Sequence, residues 1–206
     1  MTQPAQDTRR PGRRTGDSGT REAILGAARK RFGDHGYAGA TIRAIAADAG
    51  VDPALVHHFF GTKERLFAAA MRLPLIPGEV IGAALAPGAR DPGLGLGEHL
   101  VRTALTAWDV AEVRDTFLGL LRSAVTSEQA ATMLREFVTD SILGRIAEVA
   151  SPAEAEYRAA LVGSQVLGLA LARYVLGLKP LATASTDDLA AAIGPTLERY
   201  LTGEVH

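Results

Sequence analysis

Residues 41–60, TIRAIAADAGVDPALVHHFF, leave the backbone little choice. Ile42, Ile45, Ala46 and Ala49 recur at i, i+3, i+4 and i+7, the spacing of one buried stripe on a helix. Thr41 stands ahead of the stripe as an N-cap, and Gly50 stands behind it as a residue free to turn left-handed. Asp52 and Pro53 follow at once, an N-cap and then a proline at the first helical position, where its fixed φ suits the helix. Two short helices joined by so tight a turn form a helix-turn-helix. Neither can bury its apolar face alone, so the flanking segments must supply the rest of a core.

They do so in helical register. Ile24, Ala28 and Phe32 recur at four-residue steps with Leu25 beside them, which predicts a helix from Thr20 to a stop at Gly33 and Gly36. Arg29, Lys30 and Arg31 cluster late in it, where cations suit the negative end of the helix dipole. Thr62 caps a fourth helix through Leu66, Phe67, Ala70 and Met71, closed by Pro74 and Pro77. Beyond it the pattern predicts helices over 79–86, 96–109, 111–125, 128–149, 153–178 and 187–201, with breaks at 87–95, 151–152 and 179–186. No alternating strand pattern of useful length interrupts them. The expected fold is all-α: a small helix-turn-helix domain over 20–72, a larger C-terminal helical bundle over 73–206, and a polar, disordered basic arm over 1–19.

The net charge of −1 hides an asymmetry. Residues 1–72 carry 12 Lys/Arg against 7 Asp/Glu, and the remainder carries 10 against 16. A basic first third joined to an acidic remainder points to a polyanion partner for the first part only. In a helix-turn-helix the second helix lies in the major groove with its N-terminal residues at the base edges. Pro53 and Ala54 are small enough for that approach, and Leu55 can touch a thymine methyl. Arg43 can reach a phosphate or a guanine edge. Lys63 opens the fourth helix, where an ammonium and free backbone N–H groups both suit a phosphate. Arg9, Arg10, Arg13 and Arg14 flank Pro11-Gly12, the composition of an arm that enters a minor groove or merely solubilises the chain.

The run TREAILGAARKRFGDHGYAGATIRAIAADAGVDPALVHHFFGTKERLF resembles the DNA-binding domain of the TetR family of bacterial transcriptional regulators. The resemblance lies in Ala27-Ala28, Phe32, Gly36-Tyr37, Thr41, Ile45-Ala46, Ala49-Gly50-Val51, Phe60, Lys63-Glu64 and Leu66, all in register. It implies a homodimer on a pseudo-palindromic double-stranded operator, and an all-helical C-terminal domain that dimerises and holds an inducer. The implied function is a repressor released by a small-molecule ligand. By resemblance Arg43, Pro53, Ala54, Leu55, His57, His58 and Lys63 stand where family members touch DNA, and the caps Thr41 and Asp52 complete the expected set. His57 stands where the family often has Tyr, Phe59 where Tyr or His is frequent, Pro53-Ala54-Leu55 in place of a Lys-Gly-Thr type of run, and Ala44 in place of an acid. Base reading is therefore expected to lean on Arg43, apolar contacts and DNA shape.

In the C-terminal part a ligand pocket is expected at Trp108, Phe117, Arg122, Phe137 and Gln165, aromatic residues with the polar Arg122 and Gln165 set inside apolar helices. Dimerisation is expected on two helices: Ala160, Gly163, Leu167, Leu171, Tyr174 and Leu178 on the first, and Leu189, Ala192, Ile193, Thr196, Leu197 and Tyr200 on the second. The chain has no cysteine, which removes disulfides and thiolate metal sites and suits the cytoplasm. His57 and His58 are neighbours about 100° apart on a helix and do not chelate together. No cofactor, no metal and no membrane span is expected. An enzyme retaining a helix-turn-helix would need a reactive constellation in the C-terminal half, and none is visible. A DNA-binding protein without an inducer is the other alternative.

Overall fold

A computed structural model describes residues 15–205, and every regular element among them is helical. The first, α1 (Thr15–Gly39), starts earlier than Thr20, so residues 15–19 of the expected arm are helical. Arg9, Arg10, Arg13 and Arg14 lie outside the described residues. The helix runs through Gly33 and breaks at Gly36, where φ is 72°. Its three cations are therefore not at its end: Arg29 and Arg31 serve neighbouring helices, and Lys30 pairs within its own. Arg29 Nε donates to the Ala70 carbonyl at 3.2 Å. Lys30 pairs with Asp34, and Arg31 forks onto Asp48 of the next helix, with Nη2 2.9 Å from Oδ1.

Next come α2 (Ile42–Ala49), α3 (Pro53–Phe60) and α4 (Lys63–Met71). The α2–α3 turn is built as its residues dictate. Gly50 is left-handed, its N–H reaches the Ala47 carbonyl at 3.1 Å, and the Val51 N–H reaches Ala46 at 3.0 Å, a Schellman closure. Val51 then packs on the core, and Asp52 Oδ1 accepts from the Ala54 N–H at 2.7 Å. Thr41 caps α2 by accepting from Ala44, and Thr62 caps α4 by accepting from Arg65. Ile24, Ala28, Phe32, Ile45, Val56 and Leu66 are fully buried between the four helices.

The rest comprises α5 (Pro77–Leu85), α6 (Leu96–Asp109), α7 (Ala111–Thr126), α8 (Glu128–Val138), α9 (Gly144–Ala147), α10 (Ala155–Ala170), α11 (Lys179–Thr183) and α12 (Thr186–Thr202). Pro77 begins α5 instead of closing α4, which suits a proline at a first helical position. The expected long helices over 128–149 and 153–178 each contain a π-helical turn, Thr139–Leu143 and Leu171–Val175. Part of the expected break at 179–186 is the short α11. Pro195 lies inside α12 without ending it.

The second core centres on α6 against α12. Gly97 and Gly194 form the crossing: a Cβ on Gly97 would sit 2.2 Å from the Gly194 carbonyl oxygen, and one on Gly194 would sit 2.6 Å from Glu98 Cα. Glu198 accepts from the Gly97 N–H at 2.7 Å in the same contact. Leu189 and Leu197, expected on the dimer face, are buried in this core with Leu100, Val101 and Leu105. The apolar stripe of α12 is thus used within the chain.

This crossing makes a signed prediction. Gly97→Ala lowers stability by about 1–3 kcal/mol through overpacking. Gly26→Ala, where a Cβ meets nothing within 4 Å, raises it by about 0.5–1 kcal/mol. Urea unfolding of the two variants checks both signs.

Candidate nucleic-acid interface and effector cavity

With Ile45, Ala46, Val56 and Phe60 turned into the core, the opposite faces of α2 and α3 carry what is left. Thr41, Arg43, Asp52, Ala54, His57 and His58 are exposed, while Pro53 and Leu55 are half-buried. Thr41 and Asp52 hold one acceptor each on their helix ends. Arg43 has no hydrogen bond or ion pair among the described residues, so its five donors face outward. The first turn of α2 has no acid, since Ala44 fills that place.

His57 is more constrained than a sequence can indicate. Its Nδ1 lies 2.9 Å from the Gly61 carbonyl oxygen, which can only accept, so Nδ1 carries a proton. In the neutral ring Nε2 is then an acceptor, and a phosphate oxygen offers it nothing. It becomes a donor only when the ring is doubly protonated. Lys63 is also committed in part. Its Nζ sits 4.5 Å from the centre of the Tyr37 ring and donates to the Ala38 carbonyl at 3.2 Å. Burial is the main cause that lowers its pKa, opposed by the charges of Asp140 and Glu136.

Those two acids belong to the C-terminal half, which grips the interface from behind. Glu136 on α8 accepts from the Ala38 N–H at 2.8 Å, and a Cβ on Gly36 would lie 2.6 Å from its Oε2. Gln129 donates to the Gly33 carbonyl. Glu64 on α4 accepts from the Gly78 N–H at 2.9 Å and meets Arg145 at 3.4 Å. Phe137 stacks on Phe67 with ring centres 4.3 Å apart and meets Tyr37 edge-on at 5.3 Å.

A cavity lies between α5, α6, α7, α8 and α10. It has two lobes of about 170 and 460 Å³ that share Trp108, Phe117, Leu134, Val138, Ile142 and Val166 in their walls. Trp108 and Phe117 stack at 5.2 Å. Phe137 lines the smaller lobe, together with Leu73 and Pro74 from the segment that leaves α4. Two expected pocket residues stand elsewhere. Arg122 is exposed on α7 and lines neither lobe, and Gln165 faces a groove between α10 and α12. Each lies about a quarter-turn or more from the apolar stripe of its helix. Sequence reasoning missed Arg135, the one charged side chain in the walls among the described residues, and the Leu73-Pro74 link. Arg135 is flanked by Leu134 and Glu136 and looks like any exposed helix cation until α10 is placed opposite it.

Tyr174, whose ring meets Trp108 edge-on at 6.5 Å, donates to Asp109 Oδ1 at 2.7 Å, and burial with this bond pushes its pKa up to about 12. On the outer face Leu167, Leu171, Val175, Leu176 and Leu178 are exposed around the end of α10. Ala160 and Ala192 are exposed too, whereas Gly163, Tyr174, Ile193, Thr196 and Tyr200 are half-buried.

Residues 24–70 match the family model described as bacterial regulatory proteins, tetR family, and residues 95–201 match that described as tetracyclin repressor-like, C-terminal domain. The second covers half of the chain. The HTH-type transcriptional regulator BetI of Rhizobium meliloti (strain 1021) is 48% identical over 52 residues, 25% of this chain and 26% of that protein. The HTH-type transcriptional repressor AcnR of Corynebacterium efficiens is 43% identical over 60 residues, 28% of this chain and 32% of that one. The chain thus spans a quarter to a third of the length of these curated relatives. A TetR-family regulator of known structure from Streptomyces coelicolor A3 is 38% identical, with 93% of this chain and 99% of that chain covered and a TM-score of 0.45.

Two outcomes test the interface. Arg43→Ala costs about 1–3 kcal/mol of discrimination, measured as the ratio of affinities for a selected and a random duplex. An equal drop on both would make Arg43 a phosphate contact. His57→Ala removes the ring from the outer face of α3 and lowers duplex affinity by about 0.5–1.5 kcal/mol, the worth of one hydrogen bond, measured by titration of the selected duplex. An unchanged affinity would remove His57 from the interface.

Proposed function

This chain belongs to the TetR family of bacterial regulatory proteins, and on that footing we propose that it is a homodimeric, sequence-specific DNA-binding repressor released from its operator by a small-molecule ligand. The observation that carries the reading is the division of labour on α2 and α3. One face of each helix is spent on the core, and the other leaves Arg43, Ala54, His57 and His58 exposed beside the capped N-terminus of α3. Small and cationic groups at that place suit a major groove.

The apolar side chains exposed on α10 and its extension, with the small exposed Ala192 of α12 beside the half-buried Ile193, favour a two-fold four-helix dimer. Leu189 and Leu197 take no part in it. Such a dimer presents two α3 helices to two half-sites, which is the reason to expect an inverted repeat. The cavity favours a ligand-regulated protein over one controlled by abundance alone, since its walls include the exit of α4 at Leu73 and Pro74. The basic arm over 1–19 adds to the interface in this reading, and the units 20–72 and 73–206 divide DNA contact from dimerisation and ligand binding. No helix among the described residues is long and apolar enough to cross a membrane. The cytoplasm, where the DNA is, is the proposed site of action. Catalysis forms no part of the proposal.

Selection from a random-duplex pool at moderate salt tests this. Enrichment of an inverted repeat is the expected outcome, and the enriched duplex then serves in a release assay. Retention without an enriched motif, or no retention at low salt, would overturn it.

A further inference from the structure

The walls of the cavity are specific about charge. Among the described residues no Asp or Glu lines either lobe. Apolar side chains make up almost all of both, relieved by the hydroxyls of Thr103 and Thr116 in the smaller lobe and Ser164 in the larger. A cationic ligand would enter without a counter-charge, and burying an unpaired charge is costly. Two carboxylates next in sequence to lining residues are engaged elsewhere: Asp109 with Tyr174, and Glu136 with the Ala38 N–H. The one charged group in the lining is Arg135 of α8, in the larger lobe beside Ala131, Leu134 and Val138. It is exposed, so it stands at the rim, and it makes no ion pair or hydrogen bond through its side chain among the described residues. A guanidinium only donates, and its geometry suits a carboxylate or carbonyl oxygen.

We propose that the cavity binds a hydrophobic molecule with a single hydrogen-bond-accepting head, a carboxylate or a carbonyl, whose apolar body fills the two lobes and whose head meets Arg135. The larger lobe alone, at about 460 Å³, is within the range of small-molecule sites. The body lies against Trp108 and Phe117, and its inner end reaches the wall made by Phe137, Leu73 and Pro74. This deepens the regulator reading above and rests on it for the consequence of binding, though not for binding itself.

Trp108 is the only tryptophan in the chain and lines both lobes, so its fluorescence reports on the site directly. The test titrates the full chain with decanoate, methyl decanoate and decyltrimethylammonium below their micelle concentrations. Decanoate and its ester are expected to change the emission saturably, with the ammonium compound weaker because the rim offers its head only the like charge of Arg135. Arg135→Ala weakens decanoate roughly three- to tenfold, as loss of a charged hydrogen bond at an exposed rim should, and does not weaken the ammonium compound, which loses a like charge. Ala104→Leu, which fills space shared by both lobes, removes the response to all three while the far-ultraviolet helix signal is kept. Equal binding of the ammonium compound, no saturable response to decanoate, or indifference of decanoate to Arg135→Ala overturns the proposal. Duplex retention is measured on the same preparation. Retention without probe binding sinks this inference alone, and probe binding without retention sinks the regulator reading alone.

Discussion

Four aromatic rings join the two halves of this protein, and the geometry of the interface follows from them. Phe32 and Tyr37 come from α1, Phe67 from α4 and Phe137 from α8. Phe32 meets Phe67 edge-on at 4.9 Å, Tyr37 meets Phe67 at 5.1 Å, and Phe137 closes the group by stacking on Phe67. Edge-on and offset contacts of this kind add to plain burial. The helices that face outward are eight or nine residues long, too short to persist in water alone. They are held by a core to which the C-terminal half contributes Phe137, only 2% exposed. Polar contacts fix the register around the rings: Glu136 on the Ala38 N–H, and Glu64 between the Gly78 N–H and Arg145.

One side chain therefore belongs to two environments. Phe137 is core to the N-terminal helices and wall to the cavity. Leu73 repeats the pattern on the other side of α4. Its N–H closes the helix on the Ala68 carbonyl at 2.8 Å, after Arg72 has turned left-handed, and its side chain lines the smaller lobe. By contrast α7, which covers the cavity, has no buried residue. Few fully packed contacts and an apolar face over a void describe an element of low local stability. The rigid wall faces the interface, and the loosely packed wall faces away from it.

The sequence carried the short-range half of this picture. The capping residues Thr41, Asp52 and Thr62, the left-handed Gly50 and the Ile45-Ala46 stripe are local devices, and each acts in the structure as local chemistry requires. What it could not carry is which partner a side chain finds across the fold. Arg29 and Arg31 read as dipole partners of their own helix, yet α1 continues past them and they bind α4 and α2. Leu189 and Leu197 read as an open face because a stripe does not say whether its cover comes from the same chain. The Gly97–Gly194 crossing decides that, and it needs both glycines at one point. Phe137 was legible as an aromatic on a helix, but its second role was not, since that depends on Phe67 and Tyr37 being brought to it. Arg135 and Arg122 are both exposed helix arginines, separated only by which of them faces α10.

A switch in such a molecule is constrained by energetics more than by distance. A ligand moves an equilibrium only through a difference in its affinity for the two states, and equal affinity shifts nothing, however tight. Contacts confined to Trp108 and Phe117 would discriminate poorly, because α6 and α7 do not carry the interface. Contacts at Leu73 and Phe137 discriminate well, because any rotation of α4 that re-aims α3 must alter the stacking of Phe67 on Phe137 and move Leu73 with it. The aromatic group resists sliding, as close-packed cores do, so it favours discrete arrangements over continuous ones. Effector specificity and effector response can then be separate properties of one cavity, with the rim at Arg135 and the Trp108–Phe117 pair governing what enters. The wall at Leu73 and Phe137 governs whether entry is felt at the DNA.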